Sequence, residues 1–518
     1  MLLFSSGPIH TMQADREPVE AVVVANGRIV AVGGRDLGNA HPTAERVDLA
    51  GRSLVPGFID AHNHLSQSAL HPRFADATNV KNLDDLAEVV RHHVRANPGD
   101  GWIRICGWDE SKWGFAVDRD LLDGVTGTRP AVLAHYSLHQ CVANSAALDD
   151  LGIGERTPDP MGGEIGRRAD GQPDGMLIER AWSHAFERSL APYCDPDRWA
   201  EHIAARAHEL AAEGITAIHD AACAPAAEDV YRTMAADRTL PISVLVMPHS
   251  AALLNNDLGG RLDGAPTGEG DEWLRVGPAK FFADGGVAIA LDTSIGGSPV
   301  RHGYVMADLE THASAATTRG FRIAIHAIGN RGVEFALDTI EHITRRAGDT
   351  DHRARIEHAT VTGPSDWVRM AELGVVAVVQ PGFVEHVGIQ SQGVHFDDHH
   401  WLAFAGMAEA GVTLAGSSDD PCAPSAPLWG IAKGVSRSTS TGIAFEPDQS
   451  LPFDDWLRAY TIDAARAGGQ EDERGSIATG KRADLVLLDL TDSPRVCATY
   501  VAGSRVFSDE PGNTAGAA

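Results

Sequence analysis

Two hydrophobic rhythms divide the chain. Both ends carry short apolar bursts: LLFSSGPIHTM and VEAVVVANGRIVAVGG at the start, ADLVLLDL (483–490) and CATYVAGSRVF (497–507) at the finish. Asn26-Gly27 and Ala502-Gly503 fall between apolar runs, where a tight hairpin turn needs residues that tolerate positive φ. The bursts predict one small β-sandwich domain built from both termini, residues 1–55 with 466–510, followed by a loose tail, 511–518.

The middle of the chain reads differently. Continuous apolar runs recur at 54–64, 214–221, 241–249, 276–286, 321–329, 354–359, 374–381 and 411–419. Short runs apolar on both faces are the pattern of buried parallel strands. Helical spacing intervenes, as in 331–348, where Val333, Ala336, Leu337 and Ile340 form one stripe. Eight such units predict an α/β fold, a (β/α)8 TIM barrel over 56–66 and 205–465. The long interval between the first two runs predicts an insertion, 67–204, leaving the first strand-to-helix loop and covering the catalytic face. Trp102, Trp108, Trp113 and Trp182 lie in it and would build either an apolar wall of the site or the insertion's own core.

Composition narrows the function. The 518 residues carry a formal net charge of −28, a field that repels phosphate backbones and anionic lipid. Nucleic-acid and membrane partners are therefore not expected. Six scattered cysteines without a CxxC pair do not form a disulfide framework in a chain this long. No run approaches the ~18 apolar residues of a membrane span, and no signal-peptide pattern opens the chain, so a cytoplasmic enzyme of small molecules is expected.

Candidate chemistry sits at the ends of the predicted strands. His62 and His64, spaced i, i+2, share one side of the first strand. Lys280, His326, His358 and Asp419 end the fourth, fifth, sixth and eighth strands. Barrel strands converge at these ends, so the six side chains can meet around a metal site. His219 ends the second strand and can line the pocket or pack beneath it. Asp60, on the face of His62, can orient a ligand. Glu357 alternates away from His358 and is expected to be structural. Asn144 and Ser145 fit a helix cap. The segment 286–304 is rich in Gly and small residues and can serve as a lid or as a surface loop.

The motifs VPGFIDAHNHL, AKFFADGG, IHAIGN, RIEHA and GSSDDP, in this order, resemble the metal-dependent amidohydrolase superfamily. Within it the chain is similar to amidohydrolase family 3, which includes YtcJ-like proteins and N-substituted formamide deformylases. The resemblance implies that His62 and His64 bind the more buried metal. It implies that Lys280, carboxylated by CO₂, bridges two metals, with His326 and His358 on the second. Asp419 would touch the first metal and shuttle protons. His139, before VANSAAL, would reach the substrate oxygen as a catalytic and substrate-binding residue. By their place in the chain alone, His219 and Trp113 are further candidate substrate contacts. Asn330 stands where the family commonly has Asp, which puts in question a hydrogen bond to His326. The resemblance also implies self-association, as a dimer.

Nitrogen and oxygen ligands without thiolate suit Zn²⁺, in one or two ions. Such an ion lowers the pKa of water to about 7, giving hydroxide at neutral pH. The expected reaction is hydrolysis of an amide or N-formyl C–N bond of a small molecule. Deamination, lactone hydrolysis or decarboxylation at the same site, and a catalytically silent metal-binding protein, remain alternatives.

Overall fold

Fully apolar runs have no face to offer water, and the eight middle runs are buried parallel strands in the computed structural model, which describes residues 1–13, 19–348, 352–491 and 493–509. They are β1 (Phe58–Asn63), β2 (Ile215–Cys223), β3 (Ser243–Pro248), β4 (Ala279–Phe282), β5 (Ile323–Ala327), β6 (Arg355–His358), β7 (Val376–Val379) and β8 (Thr413–Gly416). β1 pairs with β2 and β2 with β3. β4 through β8 pair in sequence order. Every residue of β1, β2 and β3 is buried.

The edges of these two sheets meet. Between β8 and β1, the Asp419 amide donates to the His62 carbonyl (2.8 Å) and the His64 amide to the Asp420 carbonyl (2.9 Å). Between β3 and β4, the Gly277 amide donates to the Val246 carbonyl (2.7 Å). The result is a TIM-barrel-type fold in which the C-terminal strand ends share one face. The helical stripe after β5 forms the helix Asn330–Ala347, closed by Gly348 in the left-handed conformation (φ 62°).

Two four-stranded sheets use the termini. Arg28–Gly33, Ala21–Ala25, Leu2–Ser5 and Glu45–Asp48 form one, and Ser504–Ser508, Arg495–Val501, Leu485–Asp489 and Ser53–Pro56 the other. Phe4, Val22, Leu54, Leu485 and Tyr500 share one buried cluster that joins them. Asn26 and Gly27 take φ 49° and 76°, as the hairpin requires. The tail 511–518 lies outside the described residues.

The interval after β1 holds a six-stranded sheet from Ala75–Asp76 to Pro173–Glu179 and Gly163–Arg167. Trp102 and Trp182 lie in one of its buried clusters, Trp108 and Trp113 in another, so the tryptophans are core. The helix Ser145–Asp150 is capped by Asn144, whose Oδ1 accepts from the Ala147 amide (2.8 Å). The helix Pro196–Ala212 then leads back to β2.

Candidate metal centre

The strand ends converge on one cavity of 380 Å³, lined among others by His62, His64, His139, Lys280, His326, His358 and Asp419. Ligating atoms of His62, His64 and Asp419 lie within 4.8 Å of one another, and all three residues are buried. Asp419 Oδ1 is 3.0 Å from His64 Nε2 and 3.4 Å from His62 Nε2. Asp419 Oδ2 is 4.0 Å from His358 Nδ1. His358 and Asp419 both adopt left-handed backbone (φ 75° and 61°), an uncommon conformation for such residues that turns their side chains into the cavity where their strands end.

Three of the histidines are oriented from behind. His62 Nδ1 lies 2.5 Å from Glu357 Oε2, His64 Nδ1 2.8 Å from the Ala221 carbonyl, and His358 Nδ1 2.9 Å from Gln380 Oε1. A ring whose Nδ1 donates to an oxygen leaves the Nε2 lone pair for a cation. His326 Nε2 is buried with no hydrogen-bond partner and sits 4.0 Å from Asp284 Oδ1. This is the donor set of a divalent metal: imidazoles aimed inward, a carboxylate among them and an orphaned ring nitrogen.

The electrostatics divide the rings: burial pushes His64 down, but the Asp419 carboxylate beside it outweighs this and raises it above the ordinary histidine range. Burial, aided by the nearby Lys280 charge, holds His62 well below the ordinary histidine range, and burial brings His358 down to about 4, so both rings are neutral. Burial pushes the Asp419 carboxyl up, but His62, His64 and His358 outweigh it and hold it below the usual carboxylate range. Burial lowers the Lys280 ammonium to about 8, which leaves a neutral amine accessible near physiological pH.

Behind the centre lies a buried charge relay. Arg355 Nε donates to Glu357 Oε1 at 2.5 Å, and its guanidinium also reaches the Ala61 carbonyl and His219 Nδ1 (3.0 Å). This locates His219: fully buried beside Arg355 and not on the cavity wall, which corrects its expected substrate contact. Trp113 is corrected likewise. It stacks on Phe115 (ring centroids 5.1 Å, 24°) inside the insertion, because an indole there fills apolar volume between sheet and helices. Asp60 accepts from the Ser418 amide (2.9 Å) and Asn63 Nδ2 (2.9 Å), tying β1 to the loop after β8 without touching a histidine ring. Asn330 bonds the backbone of Asp292 at both ends of its amide (3.0 and 2.9 Å), so it anchors the hairpin Leu291–Ile295/Ser298–His302 and makes no bond to His326. Of the segment 286–304, Gly286 and Ile289 line the cavity.

Sequence reasoning missed Glu357, Gln380 and Glu179 as site residues. Glu357 had a signal: with Arg355 it forms an i, i+2 pair of charges on a buried strand, and buried charges demand partners. Away from the histidines the cavity wall is mostly apolar, with Leu138, Leu254, Phe282, Ile328, Phe383 and Val394, and Tyr136, Ser137, Thr360, Gln390 and Ser391 add polar groups.

Fold and centre together are those of a metal-dependent hydrolase. The profile of the amidohydrolase family matches residues 45–507, and the chain belongs to that family. It is 34% identical to N-substituted formamide deformylase of Arthrobacter pascens, over 96% of this chain and 94% of that protein. It is 27% identical to the putative amidohydrolase YtcJ of Bacillus subtilis (strain 168), over 94% of each. Among solved structures, an uncharacterized metal-dependent hydrolase from Pyrococcus horikoshii superposes with a TM-score of 0.74 at 22% identity, covering 94% of this chain and 97% of that one. Among the described residues no helix is long and apolar enough to cross a membrane.

Proposed function

We propose that this chain hydrolyses the C–N bond of a small N-formyl amide whose nitrogen carries an apolar group, releasing formate and an amine. In this reading the eight strands close as a (β/α)8 barrel, the terminal sheets form a β-sandwich and the insertion roofs the site. The observation that carries it is the gathering of His62, His64 and Asp419 in a cavity whose remaining wall is mostly apolar. The likeness to a protein named N-substituted formamide deformylase supports the choice of bond.

His62, His64 and Asp419 would hold one divalent ion, best Zn²⁺ for nitrogen and oxygen donors. His326, His358 and a carbamate on Lys280 would hold a second; the depressed Lys280 fits an amine able to take up CO₂. Such ions supply polarisation of a carbonyl and acidification of water. The chain's own residues do the rest. Asp419, ionised and central, takes the proton of the attacking water and delivers it to the departing nitrogen. His139 faces the carbonyl oxygen. Phe383, Leu254 and Ile328 hold the apolar substituent and keep water away from it. The same reading includes a homodimer acting on small molecules only.

The test is to incubate the zinc-loaded protein with N-alkyl and N-benzyl formamides and measure both products. Formate and amine in equal amounts support the reading. Ammonia or CO₂ instead would move the reaction to deamination or decarboxylation. Inactivity on formamides, amides and lactones alike would favour a silent metal-binding protein.

A further inference from the structure

The insertion sends one charged group of its own to the centre. Glu179 ends the strand Pro173–Glu179, is fully buried, and holds a left-handed backbone (φ 50°). Its Oε2 is 2.6 Å from His139 Nδ1. Its Oε1 accepts from the amides of Val287 (2.8 Å) and Ala288 (3.0 Å), in the segment that follows β4. That segment must come close. A Cβ on Gly285 would fall 2.2 Å from Glu179 Oε1, and one on Gly286 would fall 2.5 Å from the His139 ring. The His139 ring in turn lies 5.0 Å from the His326 ring, centroid to centroid, and borders the cavity. A buried carboxylate is costly unless its oxygens are satisfied, and every partner of this one belongs to the site or its rim.

We infer that Glu179 is the positioning residue for His139: it fixes the imidazole tautomer with the hydrogen on Nδ1 and aims Nε2 at the substrate. Burial pushes the Glu179 carboxyl up, but the nearby His139 and the two amides outweigh it, so it stays ionised. An unprotonated Nδ1 would set a lone pair against a carboxylate oxygen at 2.6 Å. The Gly286 amide, 3.0 Å from the same nitrogen, does not reverse this, because a charge-assisted hydrogen bond is about twice as strong as a neutral one. Glu179 thereby locks the insertion to the segment behind Lys280 through a single carboxylate. In its kinetic consequences the inference rests on the hydrolase reading; in the tautomer it does not.

Glu179→Gln tests it. Gln keeps the shape and still accepts from Val287 and Ala288 through its oxygen. Its amide nitrogen then faces His139 Nδ1, which must become an acceptor, and the Gly286 amide supports that state. With ¹⁵N-histidine-labelled protein, the His139 ring nitrogens should exchange their protonated and unprotonated shifts between wild type and Glu179→Gln. On a formamide substrate the variant should lose about 100-fold in kcat with KM held within about twofold, the scale seen when a group orienting a site histidine is lost. Metal content and Tm should not change. In a His139→Ala background the same substitution should cost less than about twofold, because the two residues act as one unit. An unaltered tautomer, or the same loss with and without His139, would overturn the inference. If the wild type hydrolyses no amide, the hydrolase reading fails and the ¹⁵N shifts still decide the role of Glu179.

Discussion

Glu357 Oε2 lies 2.5 Å from His62 Nδ1, across the strand set from β6 to β1. The carboxylate is itself held by Arg355, so a buried Arg–Glu–His chain ends at the proposed metal. The pairing fixes which ring nitrogen of His62 is free. Glu357→Gln should therefore weaken zinc binding by about 10–100-fold, measured as apparent Kd by competition with a chelator. Unchanged affinity would make the chain of charges purely structural.

Asp419 is central to the proposed proton transfer and lies between His62 and His64. Asp419→Asn should lower kcat by about 10²–10⁴-fold while leaving the circular-dichroism spectrum intact. The amide keeps the shape but carries no proton between water and leaving nitrogen. A variant with wild-type kcat would remove Asp419 from that role.

Much of this was legible in the sequence, for physical reasons. The eight strands show because burial on both faces keeps polar positions few. The metal-ligand candidates show because an ionisable residue at the end of such a run is buried and must find a charged partner or a ligand. Glu357 stayed hidden because strand alternation places it on the face opposite His358. That alternation holds through β6, where Arg355 and Glu357 share the interior, but the left-handed backbone at His358 turns its ring back to the same site. No sequence pattern announces that turn. His219 and Trp113 misled in the opposite way. One is expected at a strand end but lies mid-strand in β2, where Arg355 binds it, and the other is an aromatic consumed by the insertion's core.

The reassignment of Trp113 has its own consequence. Trp113→Ala should destabilise the fold by about 3–5 kcal/mol through the cavity it leaves, measured by denaturant unfolding. KM for a formamide should stay at the wild-type value. A raised KM with unchanged stability would return Trp113 to the substrate site.

A pH effect follows from His71, which is not among the proposed metal ligands. Burial lowers its imidazole from 6.5 to about 4. Between these values the unfolded chain binds a proton that the folded chain refuses. Stability from this residue is therefore complete above pH 6.5 and is lost as the pH falls towards 4. His71→Gln should make the acid limb of stability shallower by up to about 1.4 kcal/mol per pH unit in that window. Parallel pH profiles for variant and wild type would contradict the burial argument.

The most direct test of the central claim is metal content per chain by elemental analysis, on protein purified without chelator and supplied with Zn²⁺ and bicarbonate. The account predicts about two ions per chain in the wild type, and in the His62→Ala/His64→Ala variant loss of at least one ion together with loss of formamide hydrolysis. A wild-type chain that binds no divalent metal under these conditions would contradict it.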